Sequence, residues 1–178
     1  MMKHIFDMDN TLVYTDEANN EAYNTALEKM GMVPLRGEMR ITREIVLNAY
    51  PMLTAEEIKR IVETKKSCYC VEKTYVNEEL LQYVRGRERE NCFIWSCANR
   101  ERAFSLMDYH GMDGLFSNIY FSPKADICRE YKEMIRYFDI ENEDITVYED
   151  TDGYIKQLRG IGVRTVDVKC WKDPMLHP

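Results

Sequence analysis

The chain has 178 residues, 45% of them apolar and 31% charged, and a net charge of −7 at pH 7. That length suits one domain with a small insert, and the composition favours a packed core over disorder. The acid excess and the lack of a long basic run argue against duplex nucleic acid and anionic membrane as partners.

In chain order, the opening "MMKHIFDMD" has no long apolar core, and no later run approaches a spanning length, which predicts a cytoplasmic protein. Its six cysteines (68, 70, 92, 97, 128, 170) are then expected to be free thiols. "CYC" at 68–70 lacks the gap of a zinc knuckle and the three histidines (4, 110, 177) are scattered, so structural zinc is not expected.

The first predicted strand, "KHIFDMD", ends in two aspartates two residues apart. In extended chain such side chains share a face, so Asp7 and Asp9 stand together. Like charges that close are costly unless a cation lies near them. An Asx-rich turn is the plainer reading of the same residues. Residues 16–75 show no convincing strand; they read as helix, a break from Gly31 to Pro34, helix, a break at Tyr50-Pro51, and a third helix. Thr54 and Glu57 fit a capping box for that third helix.

From residue 76 onward, helix and strand alternate. Short runs rich in Ile, Val, Phe, Tyr and Trp at "CFIWSCA", "NIYFS", "ITVYED" and "VRTVDV" suit buried strands. Helical stretches at 77–89, 99–110, 125–138 and 153–160 lie between them. This pattern predicts an α/β fold, a parallel Rossmann-like sheet flanked by helices. The expected organisation is an α/β core from 1–15 and 76–178, with a small all-helical cap, 16–75, inserted after the first strand.

Ligands of open parallel sheets bind at the carboxyl ends of the strands. Those ends carry Asp7 and Asp9, then Ser96, then a loop with Lys124, then Glu149 and Asp150. Acids gathered on one rim need a cation, and an all-oxygen set favours magnesium, which leaves room for substrate phosphate. With a metal, one aspartate can attack phosphorus while the other moves protons. Plainer readings stand beside these: Ser96 as a helix-entry residue, Lys124 as a cap on the outside of the next helix, and Asp152 as an exposed acid at a helix start. In the insert, Tyr14, Glu17, Asn20, Tyr23, Arg43, Lys65 and Lys66 are candidate substrate contacts, though a solvated face or core position explains each more simply.

"FDMDNTL", "IWSCANR", "SPKADI" and "VYEDTDGYIKQLRGIGV" together resemble the four motifs of haloacid dehalogenase-like phosphohydrolases, over nearly the whole chain. The resemblance implies a phosphatase working through a phospho-aspartate. Asp7 would be the nucleophile, Asp9 the general acid/base, and Lys124 the charge-balancing lysine. Thr11, Ser96 and Cys97 would join Lys124 around the phosphate. Magnesium would be held by Asp7, Asp150, the backbone carbonyl of Asp9 and, mostly through water, Glu149. The implied substrate is a small phosphorylated metabolite, a nucleotide or sugar phosphate, under a cap that closes over the rim. An acid at position 9 points to a phosphatase or a sugar phosphomutase rather than a dehalogenase, and a non-catalytic phosphate-binding relative is the remaining alternative. One departure matters: the family's third motif often places its lysine where Ser122 stands, so Lys124 comes two positions late.

Overall fold

A computed structural model describes residues 1–37 and 39–170. The tail from 171, including His177 and the end of the expected 76–178 core, lies outside the described residues. The chain divides into two compact units, Met1–Tyr14 with the segment from Val76 onward, and Thr15–Tyr75.

In chain order the elements are β1 (Met2–Phe6), β2 (Val13–Tyr14), α1 (Asp16–Lys29), α2 (Arg43–Ala49), α3 (Ala55–Ser67), β3 (Tyr75–Val76) and α4 (Glu78–Arg85). There follow β4 (Cys92–Ser96), α5 (Arg100–Tyr109), β5 (Asn118–Phe121), α6 (Ile127–Tyr137), β6 (Asp144–Glu149), α7 (Asp152–Gly160) and β7 (Arg164–Asp167). Five strands form a parallel sheet in the order β5-β4-β1-β6-β7, and β2 and β3 form a separate two-stranded ribbon. All five strands of the expected sheet are present, so the α/β reading holds.

The central strand is apolar on both faces, as a doubly covered parallel strand must be. Ile5 joins Phe93, Trp95 and Val147 on one face, beneath Ile127, Met134 and Phe138 of the α6 region and Leu158 of α7. Phe138, just past the end of α6, is buried, and Tyr131 of α6 packs against the cluster. On the other face Phe6 stacks on Tyr148 with ring centroids 4.5 Å apart. From β1 the chain moves outward through β4 to β5, then crosses back to add β6 and β7 on β1's other side. The carboxyl ends of β1 and β6 therefore flank the point where the winding reverses, the place where ligands bind in such sheets.

His4 lies inside this second face, 5% exposed, its Nδ1 3.2 Å from the Tyr148 hydroxyl, which donates onward to Tyr83 at 2.9 Å. Burial, helped by Arg87 and Arg164, lowers its pKa from 6.5 to about 4. The unfolded chain thus binds a proton through that window that the folded chain refuses, so stability falls as pH drops from about 6.5 towards 4. We expect this residue to account for on the order of 2 kcal/mol of lost stability by pH 4. His4→Phe should flatten the slope, read as the difference between variant and parent urea midpoints at pH 7 and pH 4.5.

In the Thr15–Tyr75 unit, Tyr23, Ala26 and Leu27 of α1 pack with Ile41, Val46, Ile58 and Ile61. The capping box on α3 is formed, with the Thr54 hydroxyl accepting from Glu57 N and the Glu57 carboxylate accepting from Thr54 N. The second helix begins at Arg43, later than a break ending at Pro34 implies. Three asparagines of α1 explain the delay. Asn24 pairs with Leu35 through both N–H and carbonyl, Asn20 takes Ile41 N–H and Met39 carbonyl, and Asn19 donates to Ile41 O. The backbone of Leu35, Met39 and Ile41 thus finds its partners in side chains rather than in a helix.

Candidate active site

Asp7 follows β1 directly, and its amide donates to Tyr148 O at 2.9 Å, extending the ladder to β6 by one residue. The chain then folds into a tight loop: Leu12 and Val13 amides both donate to Met8 O, Asn10 N donates to Val13 O, and Asn10 takes φ 58°. Asparagine tolerates that left-handed geometry better than most residues. Asn77, at the start of α4, ties the loop down by donating to Leu12 O and Thr11 O. Thr11 is wholly enclosed, with no partner for its hydroxyl among the described residues.

Lys124 does not cap a helix. It is 3% exposed, and its ammonium donates to Asp7 Oδ1 at 2.6 Å and to Glu149 Oε2 at 2.7 Å. The rings of Trp95 and Tyr154 lie 5.1 and 5.5 Å from the same nitrogen. Its late position in the sequence is resolved by the backbone. Lys124 has φ 52°, and the Glu130 carboxylate on α6 accepts the amides of Lys124, Ala125 and Asp126 at 2.7, 2.9 and 3.0 Å. Ser122, at the usual lysine position, instead accepts from Trp95 Nε1 at 2.8 Å.

Burial would raise the Glu130 carboxyl, but the amides it gathers outweigh that and hold it below the ordinary value. Sequence reasoning missed Glu130, since nothing marks a helical glutamate as the clasp of a preceding loop. We expect Glu130→Ala to lower the unfolding free energy by about 2–3 kcal/mol, read by urea denaturation, because three amides lose a charged acceptor.

The end of β6 completes the group. Glu149, 2% exposed, accepts the Asp150 and Thr151 amides at 3.1 Å each through its other oxygen. Carboxylate oxygens of Asp7, Glu149 and Asp150 all lie within 4.8 Å of one another. Ser96 is fully buried at the end of β4, its hydroxyl accepting from Ala98 N at 3.0 Å, while α5 is capped by Asn99 rather than by Ser96. Cys97 is exposed beside it, and all six cysteines are free thiols. Asp152 begins α7 on the surface, paired with Lys169, outside the acid cluster.

Asp9 has a different partner. Arg102, on the first turn of α5, donates from Nη1 to Oδ1 at 2.8 Å and from Nη2 to Oδ2 at 2.5 Å. Sequence reasoning did not single out Arg102.

Two of the three clustered carboxyl groups, those of Asp7 and Glu149, thus share one ammonium, and Asp150 stands beside them. Burial is the main influence on Asp7 and pushes it up to about 8; Glu149 and Asp9 repel it further, against the attraction of Lys124. Asp150 is raised to about 7, by burial first and then by Glu149. Burial would lower Lys124, but Asp7 and Glu149 reverse this and hold the ammonium charged. The cluster is short of positive charge, and its donors are all oxygen. A hard divalent ion such as magnesium fits both facts and would return the acids to their ionised forms.

No family model and no curated protein sequence matches the chain. Solved structures do. A haloacid dehalogenase superfamily hydrolase of subfamily IA from Geobacter sulfurreducens aligns with TM-score 0.68 at 14% identity, over 93% of this chain and 85% of that one. A predicted phosphoglycolate phosphatase from Haemophilus somnus aligns with TM-score 0.75 at 13% identity, over 92% and 83%. A protein from Thermotoga maritima named as a beta-phosphoglucomutase aligns with TM-score 0.68 at 18% identity, over 93% and 84%. The fold is that of the haloacid dehalogenase-like hydrolases.

Proposed function

We propose that this chain is a magnesium-dependent phosphatase that hydrolyses a small phosphate monoester through a phospho-aspartate. The observation that carries the reading is the buried ammonium of Lys124 bridging Asp7 and Glu149, with Asp150 completing a triangle of acids at the sheet's reversal point. Such a pairing is costly to bury and is most readily explained by chemistry done there.

Asp7, Asp150 and Glu149 would hold the ion, with the Asp9 carbonyl as a further oxygen. When bound, magnesium supplies positive charge that offsets the anionic phosphoryl group and the Asp7 carboxylate. Asp7 Oδ attacks phosphorus as the ester P–O bond breaks, and Asp9 gives its proton to the departing alkoxide. Asp9 then takes a proton from water as the water oxygen attacks phosphorus, and the Asp7–phosphorus bond breaks to release inorganic phosphate. Lys124 keeps Asp7 oriented and faces the charge that builds up beside it. The Ser96 hydroxyl, which accepts from Ala98 N, retains its own proton for a phosphoryl oxygen.

Substrates are small monoesters, with nucleotides and sugar phosphates the leading candidates, and the names of the neighbours add short phosphorylated acids. The neighbour named for a mutase keeps transfer to a second sugar oxygen as the alternative. Phosphate release from a panel of such esters, with magnesium and with EDTA, tests the reading. Magnesium-dependent release supports it; an isomeric hexose phosphate formed from a hexose 1-phosphate without free phosphate assigns the mutase; no conversion in either assay overturns both.

A further inference from the structure

Two carboxylates leave β1 together, yet they meet different cations. Asp7 turns to Lys124 and to the cluster of Glu149 and Asp150, whereas both oxygens of Asp9 lie on the guanidinium of Arg102. The backbone between them is fixed by the Met8 and Val13 hydrogen bonds and by the bridge between Asp9 and Val13. What remains adjustable is the direction of the Asp9 side chain. An aspartate two residues from a metal-holding aspartate, near enough for its charge to act on Asp7, is itself a ready oxygen ligand.

We propose that Arg102 is a positioning residue that keeps the Asp9 carboxyl out of the metal-holding group and reserves it for proton transfer. The proposal rests on the phosphatase reading for its kinetic half only. The fork geometry is suited to this, because two parallel N–H bonds fix both the distance and the plane of a carboxylate, which a lysine ammonium does not do. Arg102 is itself held in place. It lies on the first turn of α5, where Asn99 accepts the amides of Glu101 and Arg102 at 3.0 and 3.3 Å. The pair is mostly enclosed, with side chains 17% and 13% exposed, so water competes weakly for it.

The arrangement leaves Asp9 able to work. Each carboxylate oxygen has a second acceptor direction, so one oxygen can stay on the guanidinium while the other carries a proton to or from substrate. The proton goes to the leaving oxygen in the first half of the reaction and comes from water in the second, so Arg102 exchanges no atoms with substrate.

The test uses Asp9→Asn, Arg102→Gln, Arg102→Lys and the double variant Asp9→Asn with Arg102→Gln, each confirmed folded by circular dichroism. The first readout is Mn2+ affinity by calorimetry, which needs no turnover. With Arg102 present, Asp9→Asn should leave affinity within about twofold; with Arg102→Gln, adding Asp9→Asn should weaken it about fivefold, because the released carboxyl has joined the metal. Equal loss in both backgrounds, or no loss in either, overturns the proposal.

The second readout is leaving-group dependence. An alkoxide leaves poorly without a proton, whereas nitrophenolate does not need one. Arg102→Gln should therefore cut kcat for an alkyl phosphate about tenfold more than for nitrophenyl phosphate, with KM little changed. Arg102→Lys should behave the same way, having the charge without the fork. Equal slowing of both esters with a raised KM, or full rescue by lysine, overturns it. Should the parent hydrolyse no ester, the phosphatase reading fails and the Mn2+ titration still decides the role of Arg102.

Discussion

Asp7→Asn is expected to cut phosphatase turnover by at least about 10³-fold, because an amide oxygen in that position cannot form the covalent phospho-enzyme. Phosphate release measures it directly, and full turnover in the variant would remove Asp7 from the nucleophile's role. The same substitution has an opposite effect on stability. The folded-state pKa of Asp7 is raised to about 8, so between its ordinary value and about 8 the folded chain binds a proton more tightly than the unfolded chain does. Stability from this residue is present at low pH and lost as pH rises through about 8, where the buried carboxylate is ionised without a metal. In EDTA, Asp7→Asn should therefore lose less thermal stability than the parent between pH 5 and pH 9. Magnesium should raise the melting temperature of the parent more than that of the variant, since the ion binds the folded cluster and finds one acid fewer.

The contrast between the two effects follows from how the site is assembled. A group of acids that is stable alone has little need of a cation; one held short of positive charge binds the ion and the phosphate more strongly. The raised carboxyls of Asp7 and Asp150 record that shortage.

Much of this was legible in the sequence because it depends on short-range pattern. The alternation of strand and helix after residue 76 follows from local periodicity, and the parallel sheet requires the acids at its strand ends to share one edge. The capping box at Thr54 and Glu57 is equally local. What escaped depends on contacts between residues distant in the chain, or on side chains standing in for backbone. Arg102 reaches Asp9 across 93 positions, and its place on an ordinary amphipathic helix carries no mark of that role. Glu130 clasps a loop six residues behind it, which lets Lys124 adopt a left-handed backbone and bring its ammonium to Asp7 despite arriving two positions late. The late start of α2 is similar: nothing local in the sequence marks the asparagines of α1 as partners for the backbone of Leu35, Met39 and Ile41.

Lys124→Met tests the other half of the ion pair. Removing the ammonium leaves Asp7 and Glu149 buried without their common partner, and breaking a buried pair from one side typically costs about 3–5 kcal/mol. In EDTA the variant should lose roughly that much unfolding free energy in urea at pH 8, because both acids keep their desolvation cost and lose the attraction that offset it. Magnesium should return a large part of the loss, since the vacated charge lies beside the acids that hold the ion. Activity should not return with it. Without metal, Lys124 is the attraction that opposes burial at Asp7, so its loss moves the Asp7 carboxyl further up. With magnesium bound that carboxyl is ionised, so the loss falls on the maximum of kcat, down by about 10²–10³-fold for one lost electrostatic contact. A variant equally stable in EDTA and equally active with magnesium would show that the ammonium between Asp7 and Glu149 is energetically idle.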